Sequence, residues 1–493
     1  MSERSPLQSL LFLLLVGLLA MITMWAFPKN GIKLSDSITL EYESLDAFFG
    51  TSDAIQVVSV EDSLFSIAGI DTVALRDSLD RVAKIRWELV SGIQHPDSSV
   101  NSLQKFYESL IKLKAKGGKV RILHYGDSQI EGDRMTRYIR NELQKEYGGT
   151  GPGFEPAFQV LRTSAIRQNQ SDNWLRYTAN GKKDSTIQHR NYGLLASFSR
   201  YFPPVDSIEN TDTLSAWLEI KPAGYGFYRV RKFSQMSMLL GGNTKSVAIK
   251  ISVDSTVVYQ DSLKANTYNR KIKVKFSPTP ETIKIEFKGL DSPNVYALSF
   301  ESASGIIMDN IPLRGASGTL FRRISSAQLE KQYGAEPIRL IILQFGGNSV
   351  PYIDTKERAK KFGNYFKSNI RYLQAVLPKA SFLVIGPTDM ATKIKGEFVT
   401  YPMLETIRDE VQKAAFAQGV AYFDMYEVMG GKNSMKDWVT ADPSLAAPDY
   451  VHFTTKGANK MSKLFYNALL KDFDKYRGIP TDTLQTDSIA NEN

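Results

Sequence analysis

The sequence predicts an α/β protein: a three-layer α/β/α body around a parallel sheet, with an antiparallel β-sandwich inserted into it. Short apolar strands alternate with helical patterns on both sides of the chain's middle, which is typical of a parallel sheet covered by helices. Between them, residues 214–300 alternate apolar and polar side chains, as strands with one face in water do. An all-β unit that interrupts an α/β unit is an insertion, so the two α/β halves must rejoin in space.

The N-terminal residues predict a membrane helix. The 493-residue chain is 42% hydrophobic, enough for two folded units and at least one large core. Its longest apolar run covers residues 10–27, is broken only by Thr23 and is preceded by Arg4. That length approaches the roughly 20 residues that cross a bilayer. We predict an uncleaved anchor, with a cleavable signal peptide as the alternative.

Composition excludes several classes of site and partner. The chain has no cysteine, which excludes a lipoprotein anchor, a disulfide framework, a thiolate nucleophile and a thiolate zinc site. An excess of 61 Lys and Arg over 52 Asp and Glu gives a net charge of +9. These charges lie in mixed-sign runs without a basic helix or an aromatic RNA-reading motif, so no nucleic-acid partner is predicted.

The pattern along the chain predicts six segments. They are a membrane anchor over residues 1–28, a partly helical spacer over 29–98, the first part of the α/β domain over 99–200, the inserted β-sandwich over 201–302, the second part of the α/β domain over 303–475 and a disordered tail over 476–493. Apolar strands are predicted at residues 120–125, 338–343, 381–385 and 420–423. Helices are predicted at residues 101–116, 134–147, 356–377, 403–418 and 455–471.

A serine follows the first predicted strand. Gly126, Asp127 and Ser128 form a turn between that strand and the next helical pattern. The N-terminus of a helix directs unpaired N–H groups and a positive dipole end at this spot, where they stabilise an anion developing on an attacked carbonyl. Ser128 is therefore a candidate nucleophile. The alternative is a turn serine or an N-cap serine.

A histidine near the C-terminus is the candidate general base. His452 follows Asp449 by three residues at a loop-to-helix junction. This spacing lets the carboxylate fix one ring nitrogen while the other faces a hydroxyl group. The alternative is a surface histidine with a capping aspartate. Of the other histidines, His95 lies in the spacer and His189 lies in a polar loop region, while His124, on the strand before Ser128, is predicted as a packed residue or as one that supports the site residues from behind.

Two further loops offer hydrogen-bond donors. Asn348 directly follows Gly346 and Gly347 at the end of a predicted strand, where its amide can donate an N–H into a cleft. A plain turn asparagine is the alternative. Residues 315–318 form another glycine-permitted loop, and the backbone N–H of Gly318 is a further candidate donor.

Taken in order, these four blocks resemble the SGNH (GDSL) hydrolase superfamily, whose pattern is Gly-Asp-Ser, a glycine, Gly-x-Asn-Asp and Asp-x-x-His. The resemblance covers residues 100–195 and 300–475. It implies that Ser128 is the nucleophile and an oxyanion donor, that Gly318 and Asn348 are the other oxyanion donors, and that Asp449 and His452 complete a triad. No metal or organic cofactor is implied. One departure is Ser349, which stands where the family usually has an aspartate.

The order of segments along the chain makes the resemblance more specific. A β-rich insert, a glycine-rich stretch at residues 148–154 and an N-terminal apolar run are similar to bacterial cell-wall polysaccharide O-acetylesterases and O-acetyltransferases, whose insert resembles a carbohydrate-binding module. Tyr225, Phe227, Tyr228 and Tyr268 of the insert are candidates for stacking on sugars, with core packing as the alternative.

The resemblance therefore implies a serine esterase that removes O-acetyl groups from a cell-envelope polysaccharide, such as peptidoglycan, through an acetyl-serine intermediate. Its expected location is the bacterial inner membrane, with a single membrane span and the catalytic domain in the periplasm. An O-acetyltransferase that works with a membrane acyltransferase partner is one alternative. A lipid esterase and a non-catalytic envelope glycan-binding protein are the others.

Overall fold

The computed structural model describes residues 32–35, 38–40, 87, 90–97, 100–204 and 212–479. The chain divides into two compact units, residues 1–82 and 83–493. The predicted anchor over residues 1–28 lies outside the described residues, as do most of the predicted spacer and the tail beyond residue 479. Among the residues that are described, no helix combines the length and apolar character needed to cross a bilayer.

In the first unit, the described residues form an antiparallel pair of strands, β1 (Ile32–Ser35) and β2 (Ile38–Leu40). The second unit alternates strands and helices. Its strands are β3 (Lys119–Gly126), β4 (Gly153–Glu155), β5 (Ile166–Gln170), β6 (Leu175–Thr178), β7 (Ser197–Arg200), β8 (Leu214–Pro222), β9 (Gln235–Gly241), β10 (Val247–Val253), β11 (Thr256–Leu263), β12 (Arg270–Lys275), β13 (Ile283–Gly289), β14 (Asn294–Glu301), β15 (Gly305–Pro312), β16 (Ile338–Gln344), β17 (Ser381–Ile385), β18 (Ala391–Ile394), β19 (Glu397–Thr400) and β20 (Ala421–Phe423). Its helices are α1 (Gln104–Lys116), α2 (Thr136–Tyr147), α3 (Ser326–Gly334), α4 (Lys356–Val376), α5 (Leu404–Phe416), α6 (Met425–Met429), α7 (Ser434–Thr440) and α8 (Thr455–Tyr476).

A five-stranded parallel sheet has the order β15, β3, β16, β17, β20. The end of β3 matters for the site, because β3 has a neighbouring strand on each side. Gly126, at that end, pairs with Pro312 of β15 and with Gln344 of β16. The four predicted parallel strands are confirmed. The strand β15 was not predicted from the sequence, because Asp309 and Asn310 interrupt its apolar run.

Helices cover both faces of this sheet because its strands alternate side chains between two cores. On β3, Ile122 belongs to a core with α1, α2 and α8, whereas Leu123 and Tyr125 belong to a core with α3, α4 and α5. Both faces of the parallel sheet are therefore buried, as the continuous apolar strands predict. The α/β prediction with a parallel sheet is confirmed.

Two antiparallel sheets form a β-sandwich. One has the order β11, β10, β13, β8, β5, and the other has β12, β9, β14, β7, β6, with β4 also paired to β14. They share one core, to which Leu218 and Ile285 contribute from the first sheet and Met238 and Leu298 from the second. These strands run from Gly153 to Glu301, so β4 to β7 of the segment predicted as α/β belong to the sandwich sheets. Apolar periodicity did not predict these strands, because their sequences are short and polar.

The aromatic candidates of the insert lie mostly at the surface. Tyr225, Tyr228 and Tyr268 are 62%, 66% and 45% exposed, so core packing is wrong for these three. Phe227 is half-buried, and its ring lies 6.4 Å from that of Tyr138. Their role in stacking on sugars stays a prediction.

A buried arginine joins the sandwich to the parallel sheet. Arg121 on β3 is fully buried and pairs with Glu301 at the end of β14, while its Nη1 lies 2.7 Å from Asp309 Oδ1 on β15. Its guanidinium carbon also lies 3.9 Å from the centre of the Phe154 ring. Burial alone would raise the pKa of Glu301, but Arg121 and Lys119 bring it down to about 2. The carboxylate is therefore ionised and held by these cations.

Candidate active site

A tight turn places Ser128 at the end of β3. Asp127 caps a 3₁₀ segment (Ser128–Asp133), and its Oδ1 accepts a hydrogen bond from Gln129 N at 2.9 Å. Gly126 lies so close to its neighbours that a Cβ atom there would be 2.9 Å from Ile130 Cδ1 and 3.2 Å from Gln344 O. Only glycine fits this approach without a shift, which explains the first residue of the block.

The structure brings the three predicted triad residues together. The Ser128 hydroxyl oxygen lies 2.7 Å from His452 Nε2, and His452 Nδ1 lies 2.7 Å from Asp449 Oδ2. With a proton on Nδ1, the Nε2 lone pair faces the hydroxyl and can take its proton. The arrangement can thus activate the serine as a nucleophile.

Asp449 is held in its charged form by backbone donors. Its Oδ1 accepts hydrogen bonds from the N–H groups of Val451 at 2.9 Å and His452 at 3.0 Å. Burial works to raise the pKa of Asp449, but these bonds and the His452 ring outweigh it and lower the pKa. The carboxylate is therefore ionised at neutral pH and can orient the imidazole.

A short hairpin supports the loop that carries the triad histidine. Tyr450 has a left-handed backbone with φ of 57°, which is uncommon for a residue with a side chain. Its ring stacks on Phe398 of the β18–β19 hairpin, with centroids 3.7 Å apart and planes 10° apart. Ala391 N of the same hairpin donates to Tyr450 O at 3.1 Å. These contacts hold the strained conformation.

Sequence reasoning missed Gln129, which ties the serine turn to the histidine loop. Its Nε2 donates to Val451 O at 2.6 Å, and its Oε1 accepts from Phe453 N at 3.3 Å. The amide therefore binds the backbone on both sides of His452. Arg134 adds a second link, donating to Ser128 O at 2.9 Å and to Phe453 O at 3.3 Å. No short-range pattern could reveal the bonds to Val451 and Phe453, because those partners lie more than 300 residues away.

Asn348 lies in the same small cleft as Ser128, which has a volume of about 30 Å³. Its Nδ2 donates to Ala316 O at 3.2 Å. A carboxamide nitrogen carries two hydrogens, and the amide of Asn348 also hydrogen-bonds the Asp127 carboxyl, so its role as an oxyanion donor stays a prediction. Burial raises the pKa of the neighbouring Asp127 to about 6 although the Gln129 N–H and the Asn348 amide act against it. Ser349, at the departure from the family pattern, is buried and uses its N–H to donate to Gly346 O.

Gly318 is buried in a left-handed conformation with φ of +76°. A Cβ there would lie 2.5 Å from the ring of Phe366 and 2.9 Å from that of Phe345, so glycine is required. The Asn348 bond to Ala316 ties this loop to the cleft, but Gly318 itself is not among the residues that line it. Its role as an oxyanion donor stays a prediction.

The other histidines have their own partners. His124 is fully buried between Gln344 Oε1 at 3.0 Å and Thr136 Oγ1 at 2.9 Å, and burial lowers its pKa to about 4. Its prediction as a packed residue is confirmed. His95 Nε2 lies 2.9 Å from Asp472 Oδ1. In the part of the chain that the structure describes, no group of three or more His, Asp or Glu side chains is arranged to hold a metal ion.

Comparison with known proteins identifies the fold. A solved structure of a peptidoglycan O-acetylesterase is 19% identical, has a TM-score of 0.58 and covers 78% of this chain and 99% of its own. A family two carbohydrate esterase from Clostridium thermocellum is 10% identical, with a TM-score of 0.23 and coverage of 55% and 96%. An acetyl xylan esterase is 16% identical, with a TM-score of 0.26 and coverage of 33% and 81%. The last two similarities are too weak to support an inference.

No protein-family model matches the sequence, and no curated protein matches it either. The first structural match spans both the α/β body and the β-sandwich of this chain in a single alignment, since it covers 78% of the residues. The four sequence blocks lie on that body in the order that the resemblance requires. The chain therefore shares the fold of the solved peptidoglycan O-acetylesterase, and its four sequence blocks resemble those of the SGNH (GDSL) hydrolases.

Proposed function

We propose that the protein is a serine esterase that removes O-acetyl groups from a cell-envelope polysaccharide. The observation that carries the proposal is the continuous hydrogen-bond chain from Ser128 through His452 to Asp449, with 2.7 Å at each step. A turn serine or a capped surface histidine would not need this alignment with a partner 324 residues away.

In the proposed mechanism, Ser128 attacks the carbonyl carbon of the acetyl ester while His452 Nε2 takes the hydroxyl proton. The tetrahedral oxyanion accepts hydrogen bonds from the Ser128 N–H, the Gly318 N–H and Asn348 Nδ2. His452 then returns the proton to the leaving sugar oxygen, and the acetyl group remains on Ser128. Water, deprotonated by His452, releases acetate and restores the serine.

The size of the cleft favours a short acyl group. It has a volume of about 30 Å³ and is lined in part by bulky residues, among them Pro387, Met390 and Met425. A short acyl group such as acetyl suits a small cleft of this kind better than a long chain does, which favours an acetyl esterase over a lipid esterase.

The polysaccharide substrate is supported by the shared fold with a peptidoglycan O-acetylesterase and by the apolar N-terminal run. We place the protein in the bacterial inner membrane through residues 1–28, with its catalytic domain in the periplasm. An exported domain held at the membrane meets envelope glycans directly.

Hydrolysis of p-nitrophenyl acetate by the full-length chain tests the catalytic part of the proposal. We expect Ser128→Ala to lower kcat by on the order of 10⁴-fold, since it removes the nucleophile. Ser368→Ala, on the exposed face of α4, is the control and should keep the wild-type rate. Equal rates for wild type and Ser128→Ala would contradict the proposal that the protein is a serine esterase.

Mass spectrometry of O-acetylated peptidoglycan after treatment with the protein tests the substrate and the reaction. We expect a loss of acetyl mass with wild type and none with Ser128→Ala. A gain of acetyl mass in the presence of a donor ester would instead make the protein an O-acetyltransferase. An unchanged polymer, together with hydrolysis of p-nitrophenyl acetate, would contradict the assigned polysaccharide.

A further inference from the structure

A second, larger cavity lies beside the serine turn, between the α/β body and the β-sandwich. Its volume is about 300 Å³, within the range of small-molecule sites. We propose that it binds a carboxylate-bearing sugar unit of the glycan whose acetyl group is removed at Ser128. This inference rests on the proposed function and adds the charge of the substrate to it.

Although none of the residues that the structure describes lines both the catalytic cleft and the cavity, a short stretch of chain joins the cleft to the cavity. Glu131 and Gly132 line it, and both belong to the 3₁₀ segment that begins at Ser128. Three residues of extended chain span at most roughly 11 Å, which bounds the distance from the Cα of Ser128 to that of Glu131. Next to Glu131, Arg314 directly precedes the 315–318 loop, whose Ala316 contacts Asn348. A glycan chain held at Ser128 therefore has neighbouring sugar units within reach of the cavity.

The charged groups of the cavity favour an anion. Three arginines line it, Arg162, Arg176 and Arg314, against two glutamates, Glu131 and Glu155. Arg314 is already matched, because its Nη1 lies 3.7 Å from Glu131 Oε2. Burial raises the pKa of Glu155 to about 8, and the nearby Asp133 adds to this effect. The raised pKa favours the neutral form of Glu155, so the three arginines outweigh the two glutamates among the charges that line the cavity.

Arg176 is the central donor. Its guanidinium bonds only weakly within the protein, from Nε at 3.3 Å and Nη2 at 3.2 Å to the single hydroxyl of Ser197. Among the described residues it makes no ion pair within 4.0 Å, and burial lowers its pKa to about 10 although the nearby Glu155 acts against this effect. A half-buried guanidinium with so few internal partners favours a carboxylate, which it can bind with two parallel N–H donors.

The remaining walls suit a sugar ring next to the carboxylate. Val160 and Leu161 are 66% and 44% exposed at the rim and supply apolar surface. Gln159 and Asn180 supply amide groups; Gln159 Nε2 donates to Glu155 Oε2 at 2.9 Å. The protonated Glu155 also has a hydrogen to donate to a ligand oxygen. Apolar walls with a few converging polar groups are typical of small-ligand sites.

Isothermal titration of the full-length chain with trigalacturonic acid, a carboxylate-bearing trisaccharide without an ester, tests the inference. We expect it to bind and its carboxyl-reduced, neutral counterpart to bind at least 10-fold more weakly. Arg176→Gln should weaken binding of the acid by roughly 10- to 100-fold, with partial recovery in Arg176→Lys. Arg162→Gln changes an exposed residue that lines the cavity. It should weaken binding of the acid several-fold without destabilising the fold.

Arg358→Gln on α4, which removes an exposed arginine paired with Asp354, is the matched control and should bind like wild type. Equal binding of the acidic and neutral trisaccharides would overturn the inference, as would wild-type affinity in both Arg176→Gln and Arg162→Gln. Because the probe contains no ester, binding without any hydrolysis of p-nitrophenyl acetate would refute the proposed function alone. Hydrolysis without binding would refute the carboxylate site alone.

Discussion

Gln129 shows how one side chain aligns residues from distant parts of the chain. Its amide binds Val451 O and Phe453 N on the two sides of His452. We predict that Gln129→Met, which keeps the volume but loses both bonds, lowers kcat for p-nitrophenyl acetate by roughly 10- to 100-fold with a similar KM, since misplaced catalytic groups slow the chemical step. Gln374→Met breaks a comparable bond, to Gln418 O on the far side of α4, and should leave kcat unchanged. Equal kcat values for the two variants would contradict the role of Gln129.

Glu155 predicts a pH dependence of stability. Its pKa is raised by burial from 4.5 to about 8, so between these values the folded state holds a proton that the unfolded state has released. Its contribution to stability is present below pH 4.5 and is lost as the pH rises towards 8. We expect Glu155→Gln, which cannot ionise, to be more stable than wild type at pH 8.5 by on the order of 3 kcal/mol and to match it near pH 5.

Urea unfolding of both proteins from pH 5 to pH 8.5 measures this difference. Curves of unfolding free energy that stay parallel over the whole range would show that Glu155 does not keep its proton in the folded state. Glu281→Gln, a change at an exposed glutamate of the sandwich, serves as the control and should follow wild type.

The candidate catalytic residues were predictable one by one because each is part of a local block. Ser128 follows a strand, and Asp449 and His452 lie three residues apart before a helix, so short-range spacing carried the information. Gln129 and Arg176 carry no such signal. Their proposed roles come from contacts with backbone and side chains that are remote in sequence, which local patterns do not show.

At the scale of elements, the β18–β19 hairpin supports the loop of the triad. Phe398 stacks on Tyr450, whose backbone is left-handed. We predict that Phe398→Ala lowers kcat for p-nitrophenyl acetate about 10-fold, because the loop then relaxes and His452 loses its alignment. Phe398→Tyr keeps the stacked ring and should keep the rate. A wild-type kcat in Phe398→Ala would show that the hairpin does not position the loop.

Elements with strong apolar periodicity were predictable to within a few residues. The helices α1, α4 and α5 and the strands β16 and β17 lie where the pattern places them. The strands β5 and β6 were not found, because they lie at the edges of their sheets and carry mostly polar side chains. The helix after Ser128 begins at Thr136, later than predicted, because the preceding residues form the 3₁₀ segment.

For the whole molecule, Arg121 links the parallel sheet to the sandwich. Its side chain is fully buried against Glu301 and Asp309, with Glu336 at 3.3 Å. We predict that Arg121→Met destabilises the protein by about 3–5 kcal/mol, because buried carboxylates lose their partner. Arg339→Met, on β16 and bonded only to the carbonyl of its neighbour Ile338, is the control. Urea unfolding measures both, and equal midpoints would contradict the linking role.

The insertion itself was predictable from the change of period along the chain, and so was the return of the chain to the α/β body. The link through Arg121 was not, since a charged residue in an apolar strand indicates nothing about which carboxylates meet it in space. The cavity beside Glu155 was not predicted for the same reason. The residues that line it come from parts of the chain that are distant in sequence.

The strand order has a consequence for how the protein is made. β3 leaves the ribosome early, but its sheet neighbours start only at residues 305 and 338. At 5–20 residues per second, roughly 10–40 s pass between the synthesis of Gly126 and that of Gly305. Most sandwich strands and their partners are synthesised within that interval, before either neighbour of β3 exists. The strand that presents Ser128 is thus synthesised early but can pair only late, so Ser128 and His452 can align only near the end of folding.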